Sequence, residues 1–243
     1  MLMNSRSFWL SGLVILNGCS TLTRQPSPFV LMTDPPSLTA EYETTVVSTH
    51  HEDHQQQAEA KQDYKWRLWR SSNHIQTYNQ QDNSGEAWSK SARGEISYQR
   101  LFHAQQQIID YVPGDLKAIG STVDWPMLAT LLNHEMIQDL VCTDDIDSQS
   151  RPIQHCHSRS KPEKLQIDWL TQEQLPASIT LTEQDQRITS RLLTSYPLAK
   201  SPWQEPSSNH YRLTDFADLG DKENDPFIKS ILSKIKGGAS HHH

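Results

Sequence analysis

From Tyr64 to Val112 the chain runs through short aromatic and β-branched stretches, broken by turn residues at near-regular intervals. That spacing selects strands joined by tight turns, the pattern of an antiparallel meander. Tyr64-Lys65-Trp66-Arg67-Leu68-Trp69-Arg70 alternates, and Ser71-Ser72-Asn73 turns it into His74-Ile75-Gln76-Thr77-Tyr78. Asp82-Asn83-Ser84-Gly85 precedes Glu86-Ala87-Trp88-Ser89, and Arg93-Gly94 precedes the run from Glu95 to His103. A fifth run ends at Pro113-Gly114. Successive strand residues face opposite sides, so Trp66 and Leu68 share one face while Lys65, Arg67 and Trp69 share the other.

The period then changes. Met127, Leu128, Leu131, Leu132, Met136, Ile137, Leu140 and Val141 recur at spacings of three and four, behind Asp124 as N-cap and Pro126 in the first turn. This predicts an amphipathic helix, or a broken pair, over 124–141. Strand pattern returns at Lys164–Leu170, and Pro176–Thr182 pairs with Arg187–Leu193 as a hairpin about Glu183-Gln184-Asp185-Gln186. A last helix begins near Asp225-Pro226, with Phe227, Ile228, Ile231, Leu232 and Ile235 on its apolar face. Five strands, a helical insertion and three or four further strands predict an α+β fold. Its form is one large curved antiparallel sheet, an open half-barrel, covered by the insertion and followed by a C-terminal helix.

In architecture this order resembles the LolA/LolB-like half-barrels of the bacterial cell envelope. Gly85-Glu86-Ala87-Trp88 and Ile109-Asp110-Tyr111-Val112-Pro113-Gly114 sit where that family often has a Gly–Trp strand and a strand ending in Pro-Gly. The resemblance covers about Tyr64 to Leu198 and implies a helix-capped cavity for acyl chains. The Arg-Pro-Gly stretch of that family has no counterpart near the first strands, so no cavity arginine is carried over.

The amino terminus carries an address. The apolar run Phe8–Leu16 is shorter than the roughly 20 residues that span a bilayer, and Arg6 supplies the positive end of a secretory signal. Leu16-Asn17-Gly18-Cys19 resembles the lipobox of bacterial lipoproteins. The resemblance implies a signal peptide over 1–18 and acylation of Cys19. With Ser20 and Thr21 after it, and no aspartate, it further implies an outer-membrane protein facing the periplasm. Residues 19–62, with Pro26, Pro28, Pro35, Pro36 and the run from His50 to Gln57, read as an acylated, flexible tether. The body then spans 63–200, an extension with an acidic loop and helix spans 201–236, and 237–243 is a linker-like tail.

An exported chain with Cys142 and Cys156 is expected to bridge them, closing a loop of about 15 residues worth roughly 3 kcal/mol. His155-Cys156-His157 and the His50/His51/His54 cluster are the competing metal-handling reading, but adjacent strand residues point apart and too few ligands converge. The carboxylates from Asp215 to Asp225 lack the spacing of a calcium loop, and suit helix capping instead. No Gly-x-Ser-x-Gly or His-Glu-x-x-His motif occurs, so neither an enzyme nor a cofactor is expected. A net charge of −7 leaves no footprint for nucleic acid. The expected partners are the membrane, through the lipid anchor, a hydrophobic ligand, and an envelope protein. Trp66, Leu68, Trp88, Tyr98, Trp125 and Trp169 form either the wall of an apolar pocket or a closed core. The first alternative makes the protein a lipid binder; the second makes it a solid interaction or assembly module.

Overall fold

A computed structural model of the chain describes residues 25–49, 59–183 and 186–231. The signal segment, Cys19 and the His50/His51/His54 cluster lie outside the described residues. Within them, twelve strands form a single open sheet. Six precede the helices: β1 (Leu38–Thr49), β2 (Glu59–Arg70), β3 (His74–Asn79), β4 (Ser84–Lys90), β5 (Ile96–Phe102) and β6 (Gln107–Tyr111). Three short helices follow, α1 (Pro113–Ala118), α2 (Trp125–Thr130) and α3 (His134–Gln138). Then come β7 (Leu140–Ile146), β8 (Pro152–Ser158), β9 (Leu165–Leu170), β10 (Leu175–Glu183), β11 (Gln186–Pro197) and β12 (Arg212–Asp215). The strand order is β12-β6-β5-β4-β3-β2-β1-β11-β10-β9-β8-β7. Every pairing is antiparallel except β12 on β6, which makes the sheet mixed rather than purely antiparallel.

Three expectations need correction. The tether reading of 19–62 fails at Leu38–Thr49, which is the central strand β1 between β2 and β11. Tyr42 and Thr44 are buried there between half-buried Glu41, Glu43 and Thr45, as a strand with one covered face requires, a signal masked by the polar and proline-rich flanks. The body therefore begins before residue 63. Over 124–141 the chain forms the broken pair of the two alternatives, α2 and α3, with Leu131 at φ 63° ending α2, but the helical stretch stops at Gln138 rather than 141. Leu140 and Val141 already belong to β7. Finally, β7 and β8 extend the sheet where no strand was expected.

Other local readings hold. Asp124 caps α2 by accepting from the Met127 N–H. Glu183 pairs with Gln186 at the β10–β11 turn. A helix, α4, occupies 226–231 of the described residues, with Asp225 accepting from the Phe227 N–H at 2.8 Å. Cys142 and Cys156 are bonded, as directly opposed partners on β7 and β8.

One face of the sheet carries the main core. Leu38, Tyr42, Leu68, Ile75, Trp88, Phe102, Ile109 and Tyr111 pack there against Leu116 of α1, Ala129 of α2, Leu219, and Ile228 and Ile231 of α4. A second cluster joins Leu132, Leu140, Leu165, Ile167 and Trp169, with Met136 and Ile137 of α3 and Phe29 against it. Phe29 belongs to a strap, 25–36, whose backbone is held by buried side chains. The amide oxygens of Gln154 and Gln174 accept from the Val30 and Met32 N–H groups, and Trp169 Nε1 donates to the Val30 carbonyl.

On the opposite face the segment 201–211 crosses β2 to β4. Gln76 Nε2 donates to the Pro206 carbonyl, the Arg67 guanidinium lies over Trp203, and His74 Nε2 meets Glu205 at 2.7 Å. Glu205 raises the His74 pKa, chiefly through that hydrogen bond. A raised folded-state pKa means the clasp contributes fully below the ordinary histidine value of about 6.5 and is lost as pH rises through the higher folded value. Proteolysis at 201–211 is expected to accelerate as pH climbs past neutrality, and Glu205→Gln removes that dependence.

Gly85 has a steric reason. A Cβ there would collide with the Thr77 carbonyl oxygen and lie 3.3 Å from His103 Nε2. Gly85→Ala forces β3 and β4 apart and is expected to cost about 1–3 kcal/mol in chemical unfolding.

Candidate functional site

Register places side chains on the helix-covered face in rows across the sheet. One row runs Ala40, Leu68, Thr77, Glu86, Arg100, Ile109 and Thr214. The next runs Tyr42, Trp66, Asn79, Ser84 and Phe102. Where these rows leave the helices, a cleft of about 270 Å³ opens. Its wall combines Trp66 and Tyr64 with Thr77, Asn79, Glu86 and Arg100, and Thr44 and Ser190 close it on the β1–β11 side.

Trp66 is fixed in that wall. Its ring stacks on Tyr42 with centroids 4.6 Å apart, and its Nε1 donates to Thr44 Oγ1 at 2.9 Å. Thr44 Oγ1 in turn shares a 2.7 Å hydrogen bond with Ser190 Oγ. With the indole N–H engaged by protein, Trp66 offers the cleft an apolar ring. Glu86 accepts from the Tyr98 hydroxyl at 3.0 Å. Burial, and then the neighbouring Glu86 charge, push the Tyr98 pKa well above its ordinary value, so the hydroxyl stays a donor.

The other aromatics expected in a pocket or core divide clearly. Trp88 is buried and stacks on Tyr98 at 4.1 Å, and Tyr98 continues to Tyr111 at 4.9 Å. Leu68 is fully buried. Trp169 is fully buried in the second cluster. These are core. Trp125 is half-buried at the start of α2, under the Lys90 ammonium at 4.8 Å. Of the six residues, Trp66 alone lines the cleft.

A residue not singled out from sequence is Arg70, whose side chain is fully buried. Its guanidinium donates to the carbonyls of Pro36 at 3.0 Å, Gln174 at 2.9 Å and Glu173 at 2.5 Å, and also to that of Ala129. It thus ties the strap, α2 and the β9–β10 turn to the end of β2. Desolvation pulls its pKa down to about 10, which still leaves it cationic at neutral pH. Alternation along β2 assigns it to the same face as Trp66 and Leu68. Its partners are backbone groups from three distant segments, which no local pattern reveals.

The histidine and acidic constellations do not converge. His155 lies between Asp168 at 2.7 Å and Asp145 at 3.3 Å, and Ser158 and Ser160 donate to Asp139. Among the described residues no group of three or more His, Cys, Asp or Glu side chains is arranged to hold a metal ion. Among them too, no helix is long and apolar enough to cross a membrane. No protein-family model matches the sequence, and no curated protein matches it significantly.

Proposed function

We propose that this protein is an envelope lipoprotein, anchored through Cys19 at the periplasmic face of the outer membrane, that binds an amphipathic ligand on the covered face of a half-barrel sheet. The observation that carries the reading is the cleft at Trp66. It is an opening of about 270 Å³ on the core-bearing face, walled by one fixed indole ring and by polar groups. That volume lies just under the roughly 300–1,000 Å³ of sites for drug-sized ligands. It suits a headgroup with the start of one chain, and is too small for a lipid with several acyl chains. The bulk of a hydrophobic ligand would extend out of the sheet's open end.

The alternative, an assembly module without ligand, draws support from the strap. Val30, Leu31 and Met32 are 40%, 42% and 44% exposed on a backbone held by buried glutamines. Native mass spectrometry of full-length protein purified from envelopes separates the two. Co-purified amphiphile is the expected result, and a bare polypeptide mass with its acyl modification favours assembly.

A further inference from the structure

The charges of the cleft are arranged for a particular headgroup. Glu86 and Arg100 are direct cross-strand partners on β4 and β5, both half-buried and both lining the opening. Such a pair ordinarily closes on itself. Here it does not: Glu86 takes the Tyr98 hydroxyl, and the Arg100 guanidinium lies 5.6 Å from the centre of the Phe102 ring. Among the described residues Arg100 has no hydrogen-bond acceptor and no ion-pair partner. A half-buried guanidinium with no acceptor among the described residues is free to take an oxyanion from the cleft. A purely anionic ligand at Arg100 would bring its charge against Glu86, and a purely cationic one at Glu86 would meet Arg100. A ligand with one charge of each sign leaves neither unpaired.

We infer that the cleft binds a zwitterionic headgroup of the aminoalkyl phosphate or amino-acid class, its oxyanion on Arg100 and its ammonium on Glu86, with its apolar part on the Trp66 ring. Asn79 and Thr77, in the neighbouring wall, supply further polar contacts. The inference rests on the amphiphile reading above and names its ligand chemistry. Glu86 then serves as more than a partner for Tyr98, because it rejects headgroups lacking a cation.

Titration of the full-length protein with lysophosphatidylethanolamine, lysophosphatidylglycerol of the same chain length and free phosphoethanolamine, read by tryptophan fluorescence, tests this. The ethanolamine lysolipid is expected to bind at least about tenfold more tightly than the glycerol one, the scale of one charge-assisted hydrogen bond. Glu86→Gln should erase that preference by raising the affinity for the glycerol lysolipid. Arg100→Gln should weaken both about tenfold, with Arg100→Lys retaining part of the binding. Saturable binding of free phosphoethanolamine would support the headgroup class as a free solute, and its failure beside a tight lysolipid would support a lipid-borne one. Equal affinities, or variants that fold and bind like wild type, overturn the headgroup assignment while leaving the amphiphile reading intact. If no amphiphile binds at all, both fall.

Discussion

Replacing Arg70 with alanine is expected to lower the unfolding free energy by about 3–5 kcal/mol, the cost of removing one side of a buried charged network. Four backbone carbonyls, those of Pro36, Ala129, Glu173 and Gln174, lose their donor in a dry site. An unpaired buried polar group costs roughly 1–3 kcal/mol, and the truncation adds a cavity. Lysine should recover only part of the loss, since one ammonium cannot imitate a planar fork reaching acceptors on both sides. Urea unfolding of R70A and R70K checks both statements. A loss below about 1 kcal/mol in R70A would show that water replaces the guanidinium at no great cost.

Trp169→Ala is the second large effect, again about 3–5 kcal/mol. The indole is fully buried on β9, stands 5.0 Å from the Phe29 ring and donates to the Val30 carbonyl. Its removal empties the second core cluster and frees the strap together. The variant should therefore be cut within 25–36 by protease under native conditions, whereas Trp169→Phe, which keeps a ring and loses the N–H, should cost only about 1–2 kcal/mol. An unchanged midpoint in the alanine variant would place the residue outside the core.

The stretches that were legible in sequence are those with unmixed periodicity. β2 to β6 read as strands because aromatic and β-branched residues alternate between marked turns, and Asp124 and Asp225 announce their helices as caps. β1 was hidden because its threonines and glutamates resemble the polar segments on either side. β7 was hidden because Leu140 and Val141 continue the helical spacing of α2 and α3 for two residues past its real end. The cysteine pair was legible from the cysteine count and from the export that the leader-like amino terminus leads one to expect. The cleft was not. Glu86 and Arg100 are ordinary strand residues until register sets them opposite each other, and register is decided by the whole sheet rather than by either strand. Arg70 is similar: its position on the strand was readable and its partners were not.

The central claim is that an amphiphile sits against Trp66. Quenching of tryptophan fluorescence by a single-chain amphiphile brominated near its headgroup tests it most directly, in wild type and in Trp66→Phe. Saturable quenching in wild type, largely lost in the variant while its unfolding midpoint is kept, is the predicted result. Quenching that never saturates, or that survives intact without Trp66, would contradict it.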